Sequence, residues 1–272
     1  MAAVETWAAA PPDLRELLAL ASDLAREAAQ VHERGMRSAL RVETKSSPTD
    51  LVSQIDEAAE RLIVERLREI RPDDALLAEE GSLMDGASGV RWVIDPLDGT
   101  TNYVYGYPAY AVSIAAEVDG VARVGVVLDS SSGRLYQAID GCGAACDGES
   151  IRAREHADLS TALLATGFSY TAAQRERQGA ALAAMLGRIR DIRRGGTAAL
   201  DLCHVAAGHV DGYWELDLSP WDHAAGAVIA REAGARVLLP APAHGRGPAV
   251  VAASAALMPA LLDLLHEGGV LL

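Results

Sequence analysis

The segment Trp92–Asn102 constrains the fold of this chain more than any other stretch. An apolar run through Ile94 predicts a buried strand, and two carboxylates, Asp95 and Asp98, follow at its end. The Gly-Thr-Thr turn that comes next predicts a helix start, whose backbone N–H groups can hold a phosphate. Because paired carboxylates bind hard cations such as Mg²⁺, metal and phosphate chemistry are expected side by side.

Composition limits the classes of function. A chain of 272 residues, half of them hydrophobic, is long enough for one large domain or two fused lobes with a sizeable core. Its net charge of −14 disfavours binding to nucleic acid or to an anionic membrane. An anionic substrate would need bound cations in such an acidic protein, which agrees with the metal chemistry expected at Asp95 and Asp98.

The three cysteines indicate a reducing compartment. An odd number of cysteines, without a secretory signal pattern, predicts a cytoplasmic protein. Cys142 and Cys146 have a loose metal-like spacing, but no second Cys/His pair supports a structural zinc. No apolar run reaches the length of a membrane helix, so no membrane association is expected.

Periodicity predicts strands and helices in a recognisable order. Helices are expected over 13–35 and 51–70, a polar loop over Val42–Pro48, and an antiparallel meander over 110–139. After residue 162 strands and helices alternate, which is typical of helices layered against a sheet. We therefore predict an N-terminal α+β lobe, residues 1–150, with most metal ligands, and a C-terminal α/β lobe, residues 151–272.

Four short patches share one chemical theme, although each alone is more often a solvated surface, a turn or a helix cap. They are Glu79-Glu80, the segment 95–100, the helix start Gly195–Ala198, and Trp221-Asp222. Together they offer carboxylate and carbonyl oxygens without His or Cys, which favours two or three Mg²⁺ ions over zinc.

In these motifs the chain resembles the inositol monophosphatase family of Mg²⁺-dependent, lithium-sensitive phosphatases. The matching stretches are residues 45–50, 79–80, 95–102, 193–202, 211–215 and 221–226. The resemblance extends from about residue 14 to residue 266. It implies an α/β (α+β) fold, a layered α-β-α-β-α sandwich of the inositol monophosphatase and fructose-1,6-bisphosphatase type, and a homodimer.

The resemblance also implies roles for individual residues. The expected metal ligands are Glu79, Asp95, the Leu97 carbonyl, Asp98 and Asp222, with Asp50 near a weaker third ion. The expected catalytic residues are Glu79, Asp98 and Thr100. The expected substrate contacts are Gly99, Thr100, Arg193, Gly196, Thr197, Ala198, Glu215 and Asp222, Arg193 lying near the substrate or the dimer contact.

The leading prediction is hydrolysis of myo-inositol-1-phosphate to myo-inositol and phosphate by a metal-activated water. An aspartyl nucleophile at Asp98 is disfavoured, because a metal-bound carboxylate is a poor nucleophile. Histidinol phosphate, 3′-phosphoadenosine 5′-phosphate and fructose-1,6-bisphosphate remain alternative substrates. A bisphosphate site should show extra basic residues, whereas the segment 193–217 offers only Arg193 and Arg194 beside acidic neighbours. The alternative from a different class of function is a protein that acts mainly by binding other proteins.

Overall fold

The computed structural model describes residues 7–37, 42–44, 51–245 and 248–272. The helices of this part of the chain are α1 (Pro12–Met36), α2 (Gln54–Ile70), α3 (Thr100–Tyr105), α4 (Ala172–Met185), α5 (Ala198–Ala206), α6 (Pro220–Glu232) and α7 (Met258–Glu267). Short 3₁₀ turns lie at Leu159–Thr161 and Leu186–Arg188. Among these helices, none has the length and the apolar composition required to cross a bilayer.

The larger sheet contains eight strands in the order β10-β9-β8-β7-β6-β5-β3-β4. These strands are β3 (Ala75–Ala78), β4 (Leu83–Met84), β5 (Val90–Asp98), β6 (Ala111–Val118), β7 (Val121–Asp129), β8 (Arg134–Ile139), β9 (Ala144–Cys146) and β10 (Glu149–Ser150). Strands β5 to β8 form the predicted antiparallel meander, whereas β3 and β5 run parallel.

The smaller sheet contains five strands in the order β12-β11-β13-β15-β14. They are β11 (Leu163–Thr166), β12 (Asp191–Arg193), β13 (Gly212–Glu215), β14 (Arg236–Leu238) and β15 (Val250–Ala253). β11 is parallel to β12 and β13, and β15 is antiparallel to β13 and β14. The end of β13 delivers Glu215 toward the same side of the molecule as the end of β5.

Side-chain alternation along the strands produces five layers. Trp92 and Ile94 face a cluster with α1 and α2, whereas Val93 faces a second cluster that contains α5, α6 and one face of the smaller sheet. The other face of the smaller sheet packs on α4 and α7. The order helix, sheet, helix, sheet, helix confirms the predicted layered sandwich.

The middle helix layer lies close to the larger sheet. A Cβ atom at Gly125 on β7 would collide with the backbone carbonyl of Ala225 on α6. Gly226 faces Leu202 on α5 with as little space, since a Cβ there would lie 2.8 Å from the Leu202 Cβ. These two glycines let α6 pack at close range against the larger sheet and against α5.

Three local predictions differ from the structure. Val42–Thr44 was expected in a loop, but it forms β1 and pairs with β2 (Leu51–Ser53). Helix α2 therefore begins at Gln54, and Ser53 caps it, its hydroxyl accepting the Ile55 N–H at 3.1 Å. Asp147 and Gly148, which the sequence suggests as a turn between lobes, form a hairpin turn between β9 and β10 inside the larger sheet. The lobe boundary at residue 150 stays a prediction.

Candidate active site

Parallel pairing of β3 and β5 brings two acidic strand ends to one edge of the larger sheet. Glu79 directly follows β3, and its backbone N–H donates to the Ile94 carbonyl of β5 at 3.2 Å. Asp95 is the next residue of β5, so the two carboxyl groups lie side by side. Burial is the main cause of the raised pKa of Asp95. Repulsion from Glu79 and a hydrogen bond to it raise this pKa further.

A bulge at Pro96 shapes the end of β5. The pairing of β5 with β6 shifts register between Asp95 and Asp98, where Pro96 has no N–H to offer the ladder. The Leu97 N–H turns back to donate to Asp95 Oδ1 at 3.0 Å. Asp95, the Leu97 carbonyl and Asp98 consequently line one cleft instead of alternating between faces.

Gly99 makes the turn from β5 into α3 possible. Its φ of 92° lies in the left-handed region, which side chains disfavour. A Cβ atom at this position would also lie 2.9 Å from the Ala109 carbonyl oxygen. The tight turn brings the start of α3, with Thr100, to the cleft.

Asp98 links the larger sheet to the start of α5. Its Oδ2 accepts the Ala199 N–H at 2.8 Å, and the Thr197 hydroxyl also bonds to it. Thr197 caps α5 as well, its hydroxyl accepting the Leu200 N–H at 3.0 Å. Desolvation by the surrounding protein outweighs these bonds and raises the pKa of Asp98 to about 7.

Asp222 reaches the cleft from the first turn of α6. Its Oδ2 accepts the Ser219 N–H at 2.6 Å in a capping box. Burial first, then repulsion from Glu79 and Asp98, raises its pKa well above the usual range. Asp222 therefore serves as a helix cap and also belongs to the acidic group of the cleft.

The electrostatics of Asp95 show that carboxylates from three parts of the chain converge. Burial is the main cause of its strongly raised pKa, followed by repulsion from Glu79, Asp98 and Asp222. A cation between these groups would stabilise the ionised forms of Asp95, Asp98 and Asp222, which burial and repulsion penalise.

These residues surround a cleft of about 800 Å³. The predicted residues that line it are Glu79, Asp95, Leu97, Asp98, Gly99, Thr100, Gly196, Ala198, Glu215 and Asp222. Thr197 lies buried behind the lining, where it bonds to Asp98. Asp50 falls outside the described residues.

Arg193 and Arg194 are adjacent in the sequence, but only Arg194 lines the cleft. Arg193 is exposed and pairs with Asp191 at 2.8 Å, and it is not part of the cleft lining. Arg194 lines the cleft instead, and Arg177 of α4 joins it there. The role of Arg193 at the substrate or at a dimer contact stays a prediction.

Glu215 enters the cleft through a space that Gly167 leaves open. A Cβ atom at Gly167 would overlap the Glu215 carboxylate. The Tyr213 hydroxyl donates to Glu215 Oε2 at 2.8 Å and holds the carboxylate from the other side. Burial raises the pKa of Glu215 to about 8 despite this hydrogen bond.

Comparison with known proteins decides the family. The model of the inositol monophosphatase family matches residues 13–268. The chain belongs to the inositol monophosphatase family. It is 48% identical over 238 residues to the inositol-1-monophosphatase of Mycobacterium leprae, covering 83% of this chain and 81% of the relative.

Two further similarities show the range of this family. The Nus factor SuhB of Vibrio cholerae is 42% identical over 227 residues, covering 82% of this chain and 85% of the relative. The solved structure of Mycobacterium tuberculosis SuhB superposes with a TM-score of 0.81 at 42% identity, covering 95% of this chain and 99% of that one. Membership in the inositol monophosphatase family supports phosphatase activity for this chain.

Sequence reasoning missed Asp56, which lies directly behind Thr100. Its Oδ1 accepts the Thr100 hydroxyl at 2.7 Å, and its Oδ2 accepts the N–H and the hydroxyl of Ser53 at 2.9 and 2.6 Å. Asp56 is fully buried. The spacing of Ser53 and Asp56 matches a capping box, a signal that pointed to the helix start but not to Thr100.

His32 was also missed, and it supports the bulge from α1. One ring nitrogen contacts the Pro96 carbonyl at 3.0 Å and the other contacts the Ser130 hydroxyl at 2.9 Å. Burial lowers the pKa of His32 to about 4, so a neutral ring donates to Pro96 and accepts from Ser130. Its sequence signal is a polar residue that continues the buried stripe of Ala25 and Ala28.

The donor set of this inositol monophosphatase site fits Mg²⁺. The side chains at the acidic end of the cleft offer carboxylate oxygens, and the Leu97 backbone adds a carbonyl. As the side chains stand, no three His, Cys, Asp or Glu residues of the described chain form a finished ligand group. The fit therefore depends on the oxygen chemistry and on the clustering of acidic groups in the cleft.

Proposed function

We propose that this protein is a Mg²⁺-dependent phosphatase that converts myo-inositol-1-phosphate to myo-inositol and phosphate. The observation that carries the proposal is the convergence of Glu79, Asp95, Asp98 and Asp222 in one desolvated cleft. The strongest influences on the pKa of Asp95 are burial and other carboxyl groups, with no cationic side chain among them. An arrangement of this kind favours a divalent cation.

Two or three Mg²⁺ ions are the proposed cofactors. Glu79, Asp95 and the Leu97 carbonyl would hold one ion, and Asp95, Asp98 and Asp222 would hold a second. Bound there, Mg²⁺ supplies charge neutralisation for the phosphoryl oxygens and lowers the pKa of a coordinated water. The hydrogen bonds of Asp98 to Thr197 and Ala199 leave it better suited to holding charge than to attacking phosphorus.

Thr100 and Asp56 are placed to accept a proton from the attacking water. The Thr100 hydroxyl directs its hydrogen toward Asp56 and the Leu97 carbonyl, at 2.7 and 3.2 Å. Its oxygen lone pairs are then available on the cleft side. A water there can donate to Thr100 while Thr100 donates to Asp56, which is a two-step general-base relay. Glu79 lies near enough to influence the pKa of Asp56 and can assist.

Other residues bind and orient the substrate. The backbone N–H groups of Gly99 and Thr100 line the cleft where α3 begins and would hold phosphate oxygens. Glu215 would bind the polyol hydroxyls by hydrogen bonds, and a carboxyl group that holds a proton up to about pH 8 can both donate and accept there. Asp222 would orient the water that protonates the departing alkoxide.

A phosphate-release assay with myo-inositol-1-phosphate tests the proposal. We expect turnover with Mg²⁺, loss of turnover with EDTA, recovery on adding Mg²⁺ back, and inhibition by lithium. A folded protein that releases no phosphate with Mg²⁺, or that is equally active in EDTA, contradicts the proposal. Lithium insensitivity alone weakens only the proposed similarity to lithium-sensitive relatives.

A bisphosphate substrate is the second candidate, and one observation favours it. Arg177 and Arg194 both line the cleft. Arg194 lies near enough to Glu215 and Asp201 to oppose the rise in their pKa values that burial causes, whereas Arg177 has no ion pair with a carboxylate of the described residues. Within the described part of the chain, the one hydrogen bond of Arg177 is to Gln174, at 3.2 Å. A cleft-facing arginine without a counter-charge suits a second anionic group on the substrate.

A turnover panel separates these substrates. It compares myo-inositol-1-phosphate, histidinol phosphate, 3′-phosphoadenosine 5′-phosphate and fructose-1,6-bisphosphate in the wild type and in Arg177→Ala. A selective fall of kcat/KM for bisphosphates in the variant supports the second candidate. An equal effect on all four assigns Arg177 a general electrostatic role.

An interaction role is suggested by the names of several relatives, among them the Nus factor SuhB of Vibrio cholerae. A homodimer likewise remains a proposal, which sedimentation of the purified protein tests directly. Catalytic turnover with the Mg²⁺ dependence described above would show that the acidic cleft is used for chemistry whatever else the protein binds.

A further inference from the structure

A buried glutamate of α2, Glu60, holds the turn that follows Glu79. Its Oε2 accepts the Glu80 N–H at 2.7 Å, and its Oε1 accepts the Ser82 N–H at 3.1 Å. Only 4% of Glu60 is exposed. Both carboxylate oxygens are therefore engaged with two backbone amides of a single short turn, which fixes the turn relative to α2.

Glu60 and Asp56 lie four residues apart, so they project from the same face of α2. Asp56 holds the Thr100 hydroxyl after β5, and Glu60 holds the turn after β3. One helix face thus contacts both strand ends that form the acidic corner of the cleft. The distance between those ends, and so between Glu79 and Asp95, depends on this helix as well as on the pairing of β3 with β5.

We propose that Glu60 is a positioning residue that sets the orientation of Glu79 and thereby the affinity of the cleft for Mg²⁺. The proposal rests on the metal-dependent function proposed above. Glu60 is not part of the cleft lining, so it acts through the backbone of residues 80–82. Residues that orient metal ligands in this way typically change metal affinity or activity by about 10- to 100-fold when they are replaced.

The chain contains a matched control for this interaction. Glu232, at the end of α6, accepts the Gly141 N–H at 3.0 Å and the Gly143 N–H at 2.7 Å. It is again a helical glutamate that holds two alternate amides of a turn. Neither Glu232 nor residues 141–143 line the cleft. Glu232→Gln therefore measures the effect of losing the same pair of hydrogen bonds away from the site.

The test compares Glu60→Gln with Glu232→Gln in the full-length protein. Glutamine keeps the size of the side chain, but it loses the charge and replaces one acceptor oxygen with an NH₂ group. Mg²⁺ affinity is measured by titration calorimetry, and hydrogen exchange of the Glu80 and Ser82 amides is measured in EDTA. The Mg²⁺ dependence of kcat and the KM for myo-inositol-1-phosphate are measured in parallel.

For Glu60→Gln we expect about a 10-fold or greater loss of Mg²⁺ affinity, with faster exchange at Glu80 and Ser82. Saturating Mg²⁺ should recover most of kcat, and Glu60→Asp should partly restore affinity. Unchanged Mg²⁺ affinity in a folded Glu60→Gln protein overturns the proposal, as does an equal loss in Glu232→Gln. If the wild type itself neither binds nor uses Mg²⁺, the proposed function fails, whereas the exchange measurement still reports whether Glu60 holds the turn.

Discussion

The two sides of the cleft are built differently. The side that belongs to the larger sheet, residues 79 and 95–100 (the sheet wall), is tied down by hydrogen bonds, and Asp95 and Leu97 are at most 2% exposed. The opposite side, residues 169–171 with Arg177 and Arg194 (the rim), is largely exposed, with Tyr170 half exposed.

This difference separates two requirements of a phosphatase. Groups that handle the phosphoryl centre must be fixed before the substrate arrives, because reorganisation during the reaction costs rate. Groups that recognise the rest of the substrate can remain on exposed segments, where changes are tolerated. We therefore expect substitutions in the sheet wall to lower kcat for every substrate, and substitutions near the rim to change the preference among substrates.

The largest effect is expected for Asp98→Asn in the sheet wall. Asparagine keeps an acceptor for the Ala199 N–H but removes a negative charge that we propose binds Mg²⁺, so turnover should fall at least about 100-fold. Steady-state kcat at saturating Mg²⁺ measures this loss, with the surface variant Asp191→Asn as control. Retention of more than about a tenth of the wild-type rate would remove Asp98 from the proposed site.

A smaller loss is expected when the relay behind the sheet wall is broken. Thr100→Val and Asp56→Asn should each lower kcat by about 100-fold, the lower end of the range for general acid–base groups. Because Thr100 and Asp56 share one hydrogen bond, the double variant should lose little more than either single one. Multiplicative losses in the double variant would show that the two residues act independently.

Gly167→Ala probes the boundary between the two sides. The new methyl group would displace the Glu215 carboxylate, so KM for inositol phosphate should rise by about 10-fold, an amount typical of one or two lost hydrogen bonds. Turnover of a small artificial ester such as p-nitrophenyl phosphate should change much less. Gly179→Ala is the control, because open space surrounds that position. Equal losses on both substrates would place Glu215 among the groups needed for chemistry.

The smallest effect concerns stability and pH. Burial raises the pKa of Glu215 from 4.5 to about 8, so between these values the folded state holds a proton that the unfolded state has released. The free energy of unfolding should then fall as pH rises through this window, by at most about 1.4 kcal/mol per pH unit.

Urea unfolding of the metal-free protein at several pH values measures this slope. In Glu215→Gln the decline between about pH 4.5 and pH 8 should be shallower than in the wild type, because the titrating group is absent. Parallel profiles for the two proteins would show that Glu215 is as well solvated in the folded state as in the unfolded state.

The sequence predicted best what is encoded locally. Asp95 and Asp98 could be identified because the strand, both carboxylates and the following turn are contiguous in the chain. Helix α1 and the antiparallel meander followed from simple periodicity. The layered order of the sandwich came from the family resemblance, and the structure confirms it.

What the sequence did not reveal depends on contacts between distant segments. Asp56, Glu60 and His32 occupy ordinary helical positions, and their roles arise only when α1 and α2 meet the ends of β3 and β5. The sequence predicts Arg177 as part of a solvated helix face, and its position at the cleft follows only from where α4 packs. The β1–β2 pairing was missed because a run of three residues is too short to show an alternating pattern.

The middle layer of α5 and α6 determines whether the two halves of the molecule can fold separately. Both sheets bury an apolar face against the same pair of helices, and α6 fits against β7 only where Gly125 leaves room. Neither half of the chain, expressed by itself, would cover the apolar face of its sheet, which would stay exposed to water. We therefore expect the sheet wall and the rim of the cleft to fold and unfold together.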